Sequence, residues 1–182
     1  SKGYSLERMS EFLTTTSQGV YGIPLGVSAS YIILFSIYGS FLSQFGAGDF
    51  FFKLAMRITK NMHAASAKTA VIFSTLLGMI SGSAAGNVAV TGTLTIPMMK
   101  KEGYQNHQAG AIEAVVSTGG QIMPPVMGAA AFIMAEIIGK PYTEIMKAGL
   151  LPALLFFAST FFVVHFQAKK NGLKPKKYKD DG

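Results

Sequence analysis

Residues 69–99 read TAVIFSTLLGMISGSAAGNVAVTGTLTIPMM, without a single Asp, Glu, Lys or Arg. As one continuous helix this stretch would be about 46 Å long at 1.5 Å per residue. That is too long for a comfortable crossing of a ~30 Å hydrocarbon layer, whereas two full crossings need about 40 residues and a turn. Its centre, Ser81-Gly82-Ser83-Ala84-Ala85-Gly86-Asn87, is the least apolar and most flexible part. On either side lies an apolar piece of roughly 14 residues, or about 21 Å of helix. Two half-helices that enter and leave on one side and meet near mid-depth fit these lengths. Such a re-entrant hairpin is stable only where its tip is buried in protein or lines a cavity, because lipid offers the backbone no hydrogen-bond partner.

The flanking sequence has the same character. Residues 12–48, 114–135 and 148–168 are also free of Asp, Glu, Lys and Arg, in a chain of 182 residues that is 49% hydrophobic and 14% charged. A soluble protein of this size cannot bury every side of four such runs, so the fold class is an all-α polytopic membrane protein. Sixteen Lys+Arg against nine Asp+Glu are too few charges for a nucleic-acid-binding chain, and no nucleic-acid partner is expected. The absence of cysteine excludes disulfides and thiolate ligands, and His63, His107 and His165 lack metal-ligand spacing. Neither a transition-metal site nor an organic cofactor is expected. There is no nucleophile motif and no paired carboxylates, so the chain is not expected to be an enzyme. No basic region with a cleavage site precedes the first apolar run, so no signal peptide is expected.

The organisation follows from the breaks. Residues 1–19 form an N-terminal interfacial segment, and 20–45 a transmembrane helix with Pro24 near its start. Over 46–65, Phe51, Leu54, Ala55 and Ile58 fall on one helical face and Lys53, Arg57 and Lys60 on another, which predicts an amphipathic helix in the interface. It is either a plain connection or an element with a mechanical role. The re-entrant hairpin covers 66–102 with its tip at 81–87. A transmembrane helix over 107–138 is broken at 118–125, where two glycines and two prolines deprive several carbonyls of their partners. A last transmembrane helix covers 141–168, with Pro152 as a candidate kink, and a basic tail covers 169–182. With the hairpin re-entrant, twelve of the 16 basic residues share one side with the tail, which places that side in the cytoplasm.

Two interrupted elements in succession, each broken near mid-membrane, point to a transporter site. Ser81, Ser83 and Asn87 offer oxygens, the unwound turns offer carbonyls, and hard monovalent cations favour such ligands. Half-helix N-termini near Val88 and Pro124 would face an anion. Na⁺ as the coupling ion, together with a small organic anion such as a carboxylate, is the natural pair. The alternative is a non-transporting or channel-forming helical membrane subunit whose breaks serve packing only, with Gly78, Gly82 and Gly86 as a small-residue ridge. Glu113, Ser117, Gly120 and Gln121 share one face, so Glu113 points into the bundle, as an ion or proton site or as a partner of Lys100 or Lys101. His165 reads as a packing residue and Glu136 as interfacial.

Three motifs carry a resemblance: Gly78-Met79-Ile80-Ser81-Gly82-Ser83-Ala84-Ala85-Gly86-Asn87-Val88, Thr95-Ile96-Pro97-Met98-Met99-Lys100, and the run from Ala111-Ile112-Glu113 through Ser117-Thr118-Gly119-Gly120-Gln121-Ile122-Met123-Pro124-Pro125 to Gly128. From about residue 8 to residue 173 the chain resembles the large membrane (permease) subunit of tripartite ATP-independent periplasmic (TRAP) transporters. The likeness is to the fused-permease type associated with the TAXI class of binding protein. The resemblance implies an elevator-type secondary transporter, multi-pass in the cytoplasmic (inner) membrane of a bacterium or archaeon. Such a transporter uses the sodium gradient to import a small anion delivered by a periplasmic substrate-binding protein. The family has two inverted repeats, and this chain resembles one: scaffold helix 20–45, arm helix 46–65, hairpin, broken helix and final span. The implied partners are the second inverted-repeat half and a small membrane subunit or fused domain, within the lipid bilayer. The family's sodium ligands carry over to Ser81, Ser83 and Asn87 and to Thr118, Gly119, Gly120, Gln121, Pro124 and Pro125, with Glu113 and Ser117 as further polar-face residues.

Single cysteines at Lys68 and at Lys101, placed in the naturally Cys-free background, are expected to react with an impermeant thiol reagent from the same, cytoplasmic side. Labelling from opposite sides would refute the re-entrant topology.

Overall fold

The computed structural model describes residues 3–16, 19 and 21–173, apart from the Ser43 side chain. Lys2 and most of the basic tail, both used in the charge reading above, lie outside the described residues. The elements are α1 (Leu6–Thr15), α2 (Ile23–Val27), a π-helical segment (Ser28–Ile32), α3 (Ile33–Gln44), α4 (Ala47–Thr59), α5 (Ala65–Ser81), α6 (Ala84–Glu102), α7 (Asn106–Gly119), a 3₁₀ turn (Gly120–Ile122), α8 (Ala129–Ile138) and α9 (Tyr142–Lys170). Among the described residues there is no strand, in keeping with the all-α class read from the sequence. Ile23–Leu42 and Tyr142–Lys170 are long and apolar enough to cross a bilayer, whereas α5 and α8 are apolar but shorter. Leu34, Ile37, Phe41, Leu151, Leu155 and Phe162 point outward from the two long segments, as lipid-facing side chains do.

The chain turns back on itself between α5 and α6 for local reasons. Gly82 sits at φ +60, a conformation open to glycine, and its N–H donates to the Gly78 carbonyl at 3.0 Å, closing α5. Ser83 is extended and its Oγ accepts from the Gly86 N–H at 3.2 Å, so α6 starts at once. The non-helical tip is therefore Gly82-Ser83 alone. The sequence predicts a tip over 81–87 and a helix start near Val88, but Ala84 to Asn87 already form the first turn of α6, because a serine cap and two alanines favour immediate helix.

At the base of the hairpin Glu102, the last residue of α6, accepts from the Ala65 N–H at 3.1 Å, from the Ser66 N–H at 2.8 Å, and from the Ser66 hydroxyl. A carboxylate thus satisfies donors left free at the positive end of α5 and ties the hairpin's two ends together. Tyr104 is buried beside it, and burial, followed by the Glu102 charge, pushes its pKa above the ordinary tyrosine value.

Small side chains bring the helices close. Ala67, Ala70 and Val71 of α5, Val116 of α7 and Ala153, Phe157 and Val164 of α9 are buried in one cluster. α4 lies on α5 through Ala55, with Phe51 and Phe52 against Phe73 and Leu77, and the Thr59 and Thr69 hydroxyls meet at 2.6 Å. Ile58, on the apolar face read from the sequence, is 48% exposed, while Thr59 is buried against α5. α9 runs unbroken through Pro152 for 29 residues. Phe132 of α8 stacks on Tyr31, Phe35 and Tyr142, fixing α3 and the start of α9 against α8.

Replacing Glu102 with Ala leaves two buried N–H groups without acceptors. The variant is expected to lose at least about 2 kcal/mol of stability in detergent thermal unfolding, with Glu102→Gln losing less.

Candidate functional site

The second interruption begins where α7 gives way to the 3₁₀ turn at Gly120, and regular helix resumes only at Ala129. Pro124 and Pro125 remove two successive donors and Met127 adopts φ +59, so helix formation is delayed past the start predicted near Pro124. The irregular segment is fastened on both sides. The Val126 N–H donates to the Met79 carbonyl at 3.2 Å, the Gly128 N–H to the Gln121 carbonyl at 2.7 Å, and the Tyr142 hydroxyl to the Pro125 carbonyl at 3.0 Å.

The two interruptions touch through glycine. A Cβ on Gly78 would lie 2.6 Å from the Gly120 Cα, and one on Gly120 would lie 2.9 Å from the Gly78 Cα. Asn87 is wedged beside this contact and fully buried; its Nδ2 donates to the Ser74 carbonyl at 3.0 Å. That bond orients the amide, and its Oδ1 accepts from no donor among the described residues. A buried carbonyl oxygen without a donor is costly unless something else occupies it.

Next to this contact is a cavity of about 370 Å³, lined by Ile32, Phe35, Ser81, Ser83, Gln121 and Ala129. Ser83 and Ala129 stand at the N-termini of α6 and α8, so two positive helix ends border the same space.

Below the tip, Glu113 of α7 is fully buried. The Ser74 and Ser117 hydroxyls lie 3.3 Å and 3.0 Å from its Oε1, and those of Thr91 and Thr95 also bond to the carboxyl group. Its hydrogen-bond partners are these hydroxyls rather than Lys100 or Lys101.

The DctM component family of the tripartite ATP-independent periplasmic transporters matches residues 4–181 of this sequence. The chain belongs to that family. A putative TRAP transporter large permease protein of Haemophilus influenzae is 24% identical over 143 residues, 78% of this chain and 33% of the relative. The 2,3-diketo-L-gulonate TRAP transporter large permease protein of Escherichia coli is 23% identical over 143 residues, again 78% of this chain and 33% of the relative. The isethionate TRAP transporter permease protein DctMQ of Oleidesulfovibrio alaskensis is 34% identical over 100 residues, 52% of this chain and 15% of the relative. The chain thus spans about a third of the length of the large permease relatives it matches.

Within this TRAP permease segment the expected site residues separate into groups. Ser81, Ser83 and Gln121 line the cavity, while Asn87 and Gly120 meet at its inner side. Gly119 is buried against Phe156, where a Cβ would come within 2.1 Å of the ring. Thr118 is exposed and its hydroxyl donates to the Ala114 carbonyl of its own helix at 2.7 Å, so its side chain is not part of the cluster. Pro124 and Pro125 lie beyond it, toward Tyr142. Ser117 belongs with Glu113. Sequence reading missed Ser74, Thr91 and Thr95, whose only signal is a recurrence at i and i+4 in α6 facing a serine of α5. It also missed a cluster at the hairpin base, where Lys68 Nζ is 3.2 Å from His165 Nδ1 and the His63 ring lies against His165.

Gly78→Ala and Gly120→Ala are each expected to lower stability by more than about 2 kcal/mol, since backbone must move to admit the methyl group. Gly110→Ala, with nothing within 4 Å of the added carbon, is expected to be neutral or to stabilise by ~0.5 kcal/mol through helix propensity. Thermal unfolding in detergent compares the three.

Proposed function

We propose that this chain is one inverted-repeat half of the membrane permease of a sodium-driven secondary transporter. The transporter imports a small organic anion, in particular a carboxylate, handed over by a periplasmic binding protein. The observation that carries this reading is the buried Asn87 Oδ1, which accepts from no donor among the described residues and lies at the point where both interruptions meet. An amide oxygen held beside unwound backbone is a ligand for a small hard cation, and Na⁺ supplies the positive charge that such a buried oxygen attracts. The anion is drawn by the two helix N-termini at the adjoining cavity. The 2,3-diketo-L-gulonate and isethionate in the relatives' names are small organic anions, in keeping with this chemistry.

In this reading α5 and α6 form a re-entrant hairpin. Support comes from length: α5, with 17 residues, is about 25 Å long, whereas α9, with 29, is about 43 Å. Lys68 near the hairpin base is level with His165 near one end of α9, and Met127 beside the tip contacts Gly149, short of the other end. The hairpin and broken helix would then move as one elevator body past the scaffold helix α2–α3, with amphipathic α4 as the arm. The second half of the permease, and a small membrane subunit or fused domain, complete the inner-membrane assembly. A packing-only subunit gives no reason for a buried Asn87 oxygen that has no donor among the described residues.

In the full-length permease in proteoliposomes, Asn87→Ala is expected to weaken the sodium dependence of uptake by about tenfold or more, and Ala85→Ser to leave it nearly unchanged, since removing a ligand leaves a desolvated ion. An unchanged sodium midpoint in Asn87→Ala, at normal protein yield, removes Asn87 from the site. A larger effect from Ala85→Ser favours packing.

A further inference from the structure

We propose that Glu113 and the hydroxyls of Ser74, Thr91, Thr95 and Ser117 form a second monovalent-cation site, for a proton or a sodium ion, linked to Asn87 through Ser74 and Thr91. The carboxyl group is completely buried between the hairpin and α7, and among the described residues no Lys, Arg or His forms an ion pair with it. A buried carboxylate is stable only if a positive charge reaches it.

The elements packed on α7 are α5, α6, α9 and the 3₁₀ turn. The turn carries no titratable side chain. The others carry theirs near their ends: Lys68 on α5, Lys100, Lys101 and Glu102 on α6, and Tyr142, Glu144, Lys147, His165, Lys169 and Lys170 on α9. Lys68 lies six residues, about 9 Å of helix rise, below Ser74, and Lys100 lies five residues, about 7 Å, below Thr95. His107, on α7 itself, is six residues below Glu113. What surrounds the carboxyl group directly is hydroxyl oxygen.

These hydroxyls are able to serve two charge states. Thr91 Oγ1 is 2.8 Å from the Asn87 carbonyl as well as bonded to Glu113, and Thr95 Oγ1 is 2.9 Å from the Thr91 carbonyl as well as bonded to Glu113. Each hydroxyl has a single hydrogen and satisfies one acceptor at a time. With the carboxylate bare, the hydrogens turn toward it. With a proton bound, the threonine that accepts it turns its own hydrogen to its helix carbonyl while the other still donates to the carboxyl group; with a sodium ion bound, both threonines can turn their hydrogens to the helix carbonyls and present lone pairs to the ion. A proton fits the closed ring as it stands, donated by one carboxyl oxygen to a threonine; a sodium ion requires the ring to open slightly.

The link to the tip is direct. Ser74 gives its hydroxyl to Glu113 and its backbone carbonyl accepts from the Asn87 side-chain amide, and Thr91 joins Glu113 to the Asn87 backbone carbonyl. Filling one site therefore changes the hydrogen bonds that orient the other. This coupling rests on Asn87 being a sodium ligand; occupancy of Glu113 does not.

The test uses the full-length permease and its Glu113→Gln variant, which keeps shape and removes the charge. If a proton is the occupant, the wild type has a carboxylic-acid carbonyl band in pH-difference infrared spectra that Glu113→Gln lacks. If sodium is the occupant, radioactive sodium binding falls by one ion in the variant. Absence of both differences overturns the proposal. Thr95→Val retains Glu113 and removes one oxygen, so it covers the case in which Glu113→Gln does not fold. It is expected to shift the midpoint of the responding titration about tenfold, and an unshifted midpoint also overturns the site. Retention of the Glu113 signal in Asn87→Ala separates failure of the tip reading from failure of this one.

Discussion

Gly78 and Gly120 meet so closely that neither tolerates a side chain, and the rest of the polar interior depends on that contact. It brings the end of the hairpin's first helix against the end of α7, each at the point where regular hydrogen bonding stops. In lipid such backbone would be stranded. Here it is shared: Val126 bonds to Met79, Gly82 lies against the Met127 carbonyl, and Asn87 fills the angle between the two glycines. The interruptions stabilise one another.

Two buried carboxylates within the same pair of helices do different work because of what surrounds them. Glu102 meets the free N–H groups at the start of α5, so its charge is absorbed by a helix terminus and its role is to hold the hairpin shut. Among the described residues the hydrogen-bond partners of Glu113 are hydroxyls, which can donate or accept and do not neutralise a charge. Position along the helix separates a clamp from a site. The cost of leaving Glu113 bare is the basis of the cation site proposed for it.

α9 is the frame against which these parts are measured. It holds Phe156 against Gly119, Gly149 against Met127 and His165 against Lys68, so base, break and tip are each set against one rigid element. Phe132, stacked on Tyr31, Phe35 and Tyr142, adds the far side of the cavity.

Charge-free length and glycine-proline punctuation determined from the sequence alone that this is a helical membrane chain with two interruptions, because hydrocarbon thickness and backbone hydrogen bonding are properties of local sequence. The same reasoning located Ser81, Ser83, Asn87 and the Thr118 to Pro125 segment as the polar points of the apolar runs. It could not tell Thr118, which turns back onto its own helix, from Gln121, which lines the cavity. Nor could it foresee that Ser74, Thr91 and Thr95 would surround Glu113, or that Glu102 would cap α5 from 37 residues away. Each of these depends on which faces of separate helices come together. That was decided by the tertiary structure, through close contacts between glycines and alanines whose partners are far apart along the chain.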